Sequence, residues 1–87
     1  MMDELERYRK MVDQVDESIL KALSDRTKIC IAIGLVKKKR GLPVRDVSRE
    51  NEVYQRIKEK SAEYGLDSLQ VEAVYREIVN MCSVVQE

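Results

Sequence analysis

From Asp3 to Gly41 the chain carries apolar residues at Leu5, Tyr8, Val12, Val15, Ile19 and Ala22, then at Ile29, Ile33 and Val36. The steps alternate between three and four residues, the period of one continuous amphipathic helix with a coiled-coil-like seam. No proline interrupts this stretch, and its only interior glycine is Gly34. At the helical rise per residue it is about 57 Å long. A compact globule of this chain length has a radius of gyration of only about 12 Å. The far end of such a helix needs a cover from outside the globule, and a second copy of the chain is the expected one.

Gly41-Leu42-Pro43-Val44-Arg45 is the first punctuation. The proline pushes Leu42 toward extended geometry, so the chain turns there. A second helix is predicted from about Val47 to Tyr64, with Asp46 as N-cap and Gly65 ending it. Its inner face carries Glu50, Val53, Tyr54 and Ile57 at helical spacing. Asp67-Ser68-Leu69-Gln70 reads as a capping box that starts a third helix running to the C-terminus. The apolar face predicted for that helix is Val71, Val74, Ile78, Met81 and Val85, with Cys82 beside it. The fold class is all-α, with three helices in one domain spanning residues 1–87.

Composition narrows the chemistry. Charged residues make up 37% of the 87 residues and cancel to a formal net charge of zero. General nucleic-acid or membrane binding would call for a basic excess. No apolar run is long enough to span a bilayer and no signal-like N-terminus is present, so a cytoplasmic location is the default expectation. The chain has no histidine, which removes His-based acid–base or nucleophilic catalysis and the usual zinc sites. Cys30 and Cys82 lie far apart with no CxxC spacing and fall on apolar faces. Reduced, buried thiols are expected there.

Several residues break the pattern. Arg26 stands where the seam calls for an apolar side chain, and no acid shares its face at helical spacing. An unpaired buried guanidinium is too costly without an anion. Arg26 is therefore a register-setting residue, the partner of an acid on another helix, or part of an anion site. Lys37 follows eleven residues later on nearly the same side; two long side chains leaning together can hold one small anion. Its neighbours Lys38, Lys39 and Arg40 read as a solvated helix end that complements the dipole. Gly34, between the two cations, provides close helix packing or room for a ligand. Glu50 is an acid favoured by a helix N-terminus or one turned inward, and Gln86 belongs to a solvated last turn or faces the core.

Taken in order, Arg9, Asp16, Asp25-Arg26, Ile33-Gly34-Leu35-Val36-Lys37, Gly41-Leu42-Pro43-Val44-Arg45-Asp46, Arg49-Glu50 and Gln86 form a set. This set resembles the all-helical chorismate mutases (the AroQ class) along essentially the whole chain. Its most specific part is the P-V-R-D-x-x-R-E string opening the second helix. The resemblance implies an intertwined homodimer that rearranges chorismate to prephenate, on the route to phenylalanine and tyrosine, without metal or cofactor. It implies that Arg26 and the partner chain's Arg9 bind the two substrate carboxylates. By the same resemblance Lys37 and Gln86 donate to the ether oxygen of the breaking bond, Glu50 and the Asp46 backbone hold the ring hydroxyl, and Arg49 lines the site. Cys82 falls where better-known members carry a hydroxyl near a carboxylate, and a thiol donates only weakly.

The residues suit that chemistry. The rearrangement is an intramolecular pericyclic shift without proton transfer. It is accelerated by holding the reactive conformer and by donors placed where charge grows on the ether oxygen. Arginine clamps carboxylates bidentately and lysine supplies a point charge. Two other readings compete: isochorismate pyruvate lyase activity on the same scaffold, and a non-catalytic helical dimerisation module.

Overall fold

The computed structural model describes residues 3–87. It contains three helices, α1 (Glu4–Arg40), α2 (Val47–Glu63) and α3 (Ser68–Gln86), with no strand among the described residues. Each boundary has a local cause. The side chains of Asp3, Asp46 and Asp67 cap the three N-termini by accepting the backbone N–H groups of Glu6, Arg49 and Gln70 at 2.9–3.0 Å. These bonds satisfy donors that the first helical turn leaves without partners. At the end of α1, Gly41 adopts a left-handed φ of 66°. Its N–H reaches Lys38 O and that of Leu42 reaches Lys37 O, the Schellman arrangement. Gly65 and Leu66 close α2 in the same way on Ala62 O and Ser61 O.

The molecule extends over 60 × 24 × 15 Å with a radius of gyration of 16.6 Å. Its length is that of α1, as the uninterrupted periodicity requires. α3 packs against both α1 and α2, whereas α1 and α2 make no packing contact with each other among the described residues. The gap between them becomes the cleft described below. The α2–α3 contact is tied at its rim by Lys58–Glu72 at 3.2 Å, and Arg76 stacks 4.6 Å over the Tyr54 ring.

The buried set is small: Cys30, Val53, Ser61 and Val79. One sequence expectation changes here, on α3. On α1, the residues that α3 covers are not the seam residues. The less exposed residues of α1 are Leu23, Arg26, Thr27, Cys30, Gly34 and Lys37; Leu23, Arg26, Cys30 and Lys37 lie five full turns beyond Leu5, Tyr8, Val12 and Ile19 on one side of the helix, and Ile29, Ile33 and Val36 flank that side. The seam itself stays exposed along its whole length. On α3 the centre of packing is Val79, one residue past the predicted Ile78, while Val74, Met81 and Val85 face outward. The reason is that α3 lies between two helices, so its inner side is the one shared by both rather than the most apolar stripe.

The expectation of two reduced thiols is also overturned. Cys30 and Cys82 are joined in a disulfide, with Cα atoms 5.3 Å apart, within the range that a disulfide spans. The residues are 52 apart in sequence. Closing a loop of that length in the unfolded chain stabilises the fold by about 4 kcal/mol in the chain-entropy treatment. For a chain with so small a core, this is a large contribution.

Candidate active site

A cleft of about 430 Å³ opens between α1 and α2 with α3 as its floor, within the size range of small-molecule sites. Arg26, Lys37, Asp46, Arg49, Glu50, Cys82 and Gln86 all line it. The site residues predicted from sequence therefore converge, with one exception. Arg9 lies on the exposed N-terminal half of α1 and does not line the cleft. It is separated from Lys37 by about 42 Å of helix.

Lys37 is fixed from two sides. Its Nζ donates to Val44 O at 2.6 Å and to Gln86 Oε1 at 2.8 Å. An ammonium has three protons, so one remains for a ligand. The Lys37 bond also sets the Gln86 amide. With Oε1 turned to the ammonium, Nε2 points away and donates to Cys82 Sγ at 3.1 Å, leaving its second proton to donate. Gln86 is thus half-buried and held on both sides, rather than on a frayed end. Gly34 explains how it fits. A Cβ at Gly34 would lie 3.0 Å from both Cα and Cγ of Gln86, so the close-packing role of that glycine is the one observed.

Arg26 is half-buried and has no ion-pair partner among the described residues. Its Nη1 has only long contacts, 3.5 Å to Ile78 O and 3.7 Å to Cys30 Sγ. Neither supplies a compensating charge, so no acid among the described residues pairs with this guanidinium. Across the cleft, Glu50 accepts two bonds from Arg45, at 2.7 and 2.8 Å. The Glu50 side chain is 15% exposed and the Arg45 side chain 64%. Glu50 raises the Arg45 pKa above its ordinary value, first through the hydrogen bond and then through its charge. Each Glu50 oxygen keeps a further lone pair that can accept a hydroxyl proton. The Asp46 side chain is occupied as the α2 cap, and Arg49 reaches outward to Glu52 at 3.3 Å.

Two lining residues with hydrogen-bonding side chains, Arg56 and Ser83, were missed from the sequence. Arg56 lies two turns after Arg49 on α2, and Ser83 lies three residues before Gln86 on α3. Both share a face with a residue already singled out, a signal the spacing contained. Cys82 was expected as a weak thiol donor. As half of a disulfide it has no proton to donate, so it shapes the floor and accepts from Gln86.

Together these features define a helical protein with a cationic cleft. Its donors face a carboxylate acceptor across a space of small-molecule size. Residues 8–87 match the family Chorismate mutase type II. The chain belongs to that family. It is 37% identical over 84 residues to a bifunctional chorismate mutase/prephenate dehydratase of Aquifex aeolicus, a match covering 93% of this chain and 23% of that protein. It is also 31% identical over 67 residues to a chorismate mutase of Methanocaldococcus jannaschii, covering 77% of this chain and 68% of the relative. The chain thus spans under a quarter of the Aquifex relative and about two thirds of the Methanocaldococcus one. Among solved structures, a conserved hypothetical protein from Pyrococcus furiosus superposes with a TM-score of 0.75 over the whole of both chains, at 25% identity.

Proposed function

We propose that this chain catalyses the rearrangement of chorismate to prephenate. The observation that carries the reading is the convergence of Lys37 and Gln86, 2.8 Å apart, on the floor of a cleft whose Arg26 lacks an acid partner. Each part of the substrate has a complementary group. Arg26 takes one carboxylate as its missing counter-ion. Lys37 Nζ and Gln86 Nε2, each with a proton unused by the protein, point at the ether oxygen as its bond lengthens. Fixed donors of this kind favour the charge-separated transition state over the ground state. Glu50, aligned by Arg45, accepts from the ring hydroxyl, and the Asp46 backbone lies beside it. Arg49 and Arg56 add positive potential at the mouth.

The second carboxylate falls to Arg9 of a second copy. Support comes from the exposed stripe of Leu5, Tyr8, Val12, Val15 and Ile19, each at least half exposed. An antiparallel partner whose two-fold axis crosses α1 near Leu20 would carry its Arg9 to the stretch between Arg26 and Lys37. Two equivalent sites result.

Ultraviolet loss of chorismate with purified protein tests the reading. Arg26→Met should lower kcat/KM by about 100-fold or more, the cost of an unpaired carboxylate, while helix content survives. Full activity in that variant would reject the anion-site role, and no chorismate loss with the unmodified protein would reject the function.

A further inference from the structure

We infer that the Cys30–Cys82 disulfide is a positioning element of the site, acting on catalysis through Gln86; the inference rests on the chorismate mutase reading for its kinetic arm. The crosslink joins α1 to α3 at the level of the cleft floor, and both cysteines line the cleft. Each sulfur faces a polar side chain of the site. Arg26 Nη1 approaches Cys30 Sγ at 3.7 Å, and Gln86 Nε2 donates to Cys82 Sγ at 3.1 Å.

The geometry gives the bond a specific task. Gln86 is the last residue of α3, and helix ends fray unless held. Its Cα approaches α1 closely at Gly34, an approach that lasts only while the last turn of α3 stays against α1. The disulfide joins α3 to α1 one helical turn before Gln86 and shields this contact from fraying. It also fixes the Cys82 side chain, so its sulfur is a stationary acceptor for one amide proton of Gln86. With Oε1 on Lys37 and one Nε2 proton on Cys82, the amide is left a single orientation for its remaining donor. Reduction leaves two thiols free to rotate and removes the tether. Placement errors near 1 Å cost up to about 100-fold in rate, so Gln86 is where loosening becomes kinetic.

Dithiothreitol provides the test. Thiol–disulfide exchange transfers two electrons and two protons to the cysteine sulfurs and leaves the reagent as its cyclic disulfide. Protein unfolded without reductant should take up no iodoacetamide, and after reduction it should take up one adduct per cysteine. Adducts without reductant overturn the inference at once. In native protein, reduction should lower kcat for chorismate about tenfold or more with KM little changed. The Gln86→Ala variant should lose nothing further on reduction, because the two changes act through one group. An equal loss in both backgrounds, or none in the wild type, contradicts the inference. Hydrogen exchange gives a readout independent of turnover. Reduction should accelerate exchange in the last turn of α3 and spare α2. Uniform acceleration in all helices would mean a merely structural crosslink. If the oxidised wild type fails to consume chorismate, the mutase reading falls alone, and exchange decides the positioning role.

Discussion

The two halves of α1 have the same local structure and opposite surroundings. From Leu23 to Lys37 the helix has α3 against one side, a disulfide crossing to it, and two cations turned into a cleft. From Glu4 to Ala22 every residue is exposed, large apolar side chains included. Helix propensity and caps operate in both halves, but only tertiary packing distinguishes them, and packing supplies most of a helix's stability in a folded protein. The lesson is that one side of α1 has two fates. Leu5, Tyr8, Val12 and Ile19 each lie eighteen residues, five full turns, before Leu23, Arg26, Cys30 and Lys37, and so on the same side of the helix. α3 covers the C-terminal part of that side and leaves the N-terminal part exposed, and an exposed apolar stripe of this extent marks an interaction surface.

The sharpest way to break this contrast is at its polar end. Lys37→Ala should lower kcat by about 10²–10³-fold, the usual cost of losing a fixed donor at a developing oxyanion. Circular dichroism should remain that of a helical protein, because the caps and disulfide are untouched. A variant with full activity would remove the ammonium from the mechanism.

At the bare end, Val15→Asp should weaken self-association by about 100-fold or more, since a carboxylate would be buried without a partner. Sedimentation across a dilution series measures this, and chorismate turnover should fall along with the dimer. Unchanged association would mean that the seam is not the interface.

Gly34→Ala should have the smallest effect of the three. Its new methyl must displace the end of α3 by a few tenths of an ångström. Overpacking of this kind costs about 1–3 kcal/mol, and turnover should drop about tenfold while association persists. Thermal melting and kcat, measured side by side, separate the two contributions.

Much of this arrangement was legible in the sequence, for physical reasons. Caps are local, so Asp46, Asp67, Gly41 and Gly65 marked the helix ends to within a residue or two, whereas the cap at Asp3 was not read from the sequence. Arg26 and Lys37 share a face by simple helical repeat, and the misfit of Arg26 within the seam is visible without coordinates. What stayed hidden depends on distance across the fold. Nothing in the spacing of Cys30 and Cys82 places their Cα atoms 5.3 Å apart. Nor could periodicity tell which part of α1 would be covered by α3, because that depends on how the second and third helices fold back. Val79 was passed over for the same reason: it is central only because α3 is flanked on both sides.

The central claim is that the two halves of α1 meet across a two-fold axis, so that one chain's Arg9 completes the other's cleft. Mixing Arg9→Ala chains with Gln86→Ala chains tests it most directly, with exchange of subunits verified by mass. Each homodimer should be nearly inactive. Random exchange makes half the dimers mixed, each with one intact site, so turnover should recover to about a quarter of the wild-type value. No recovery after verified exchange would contradict the claim.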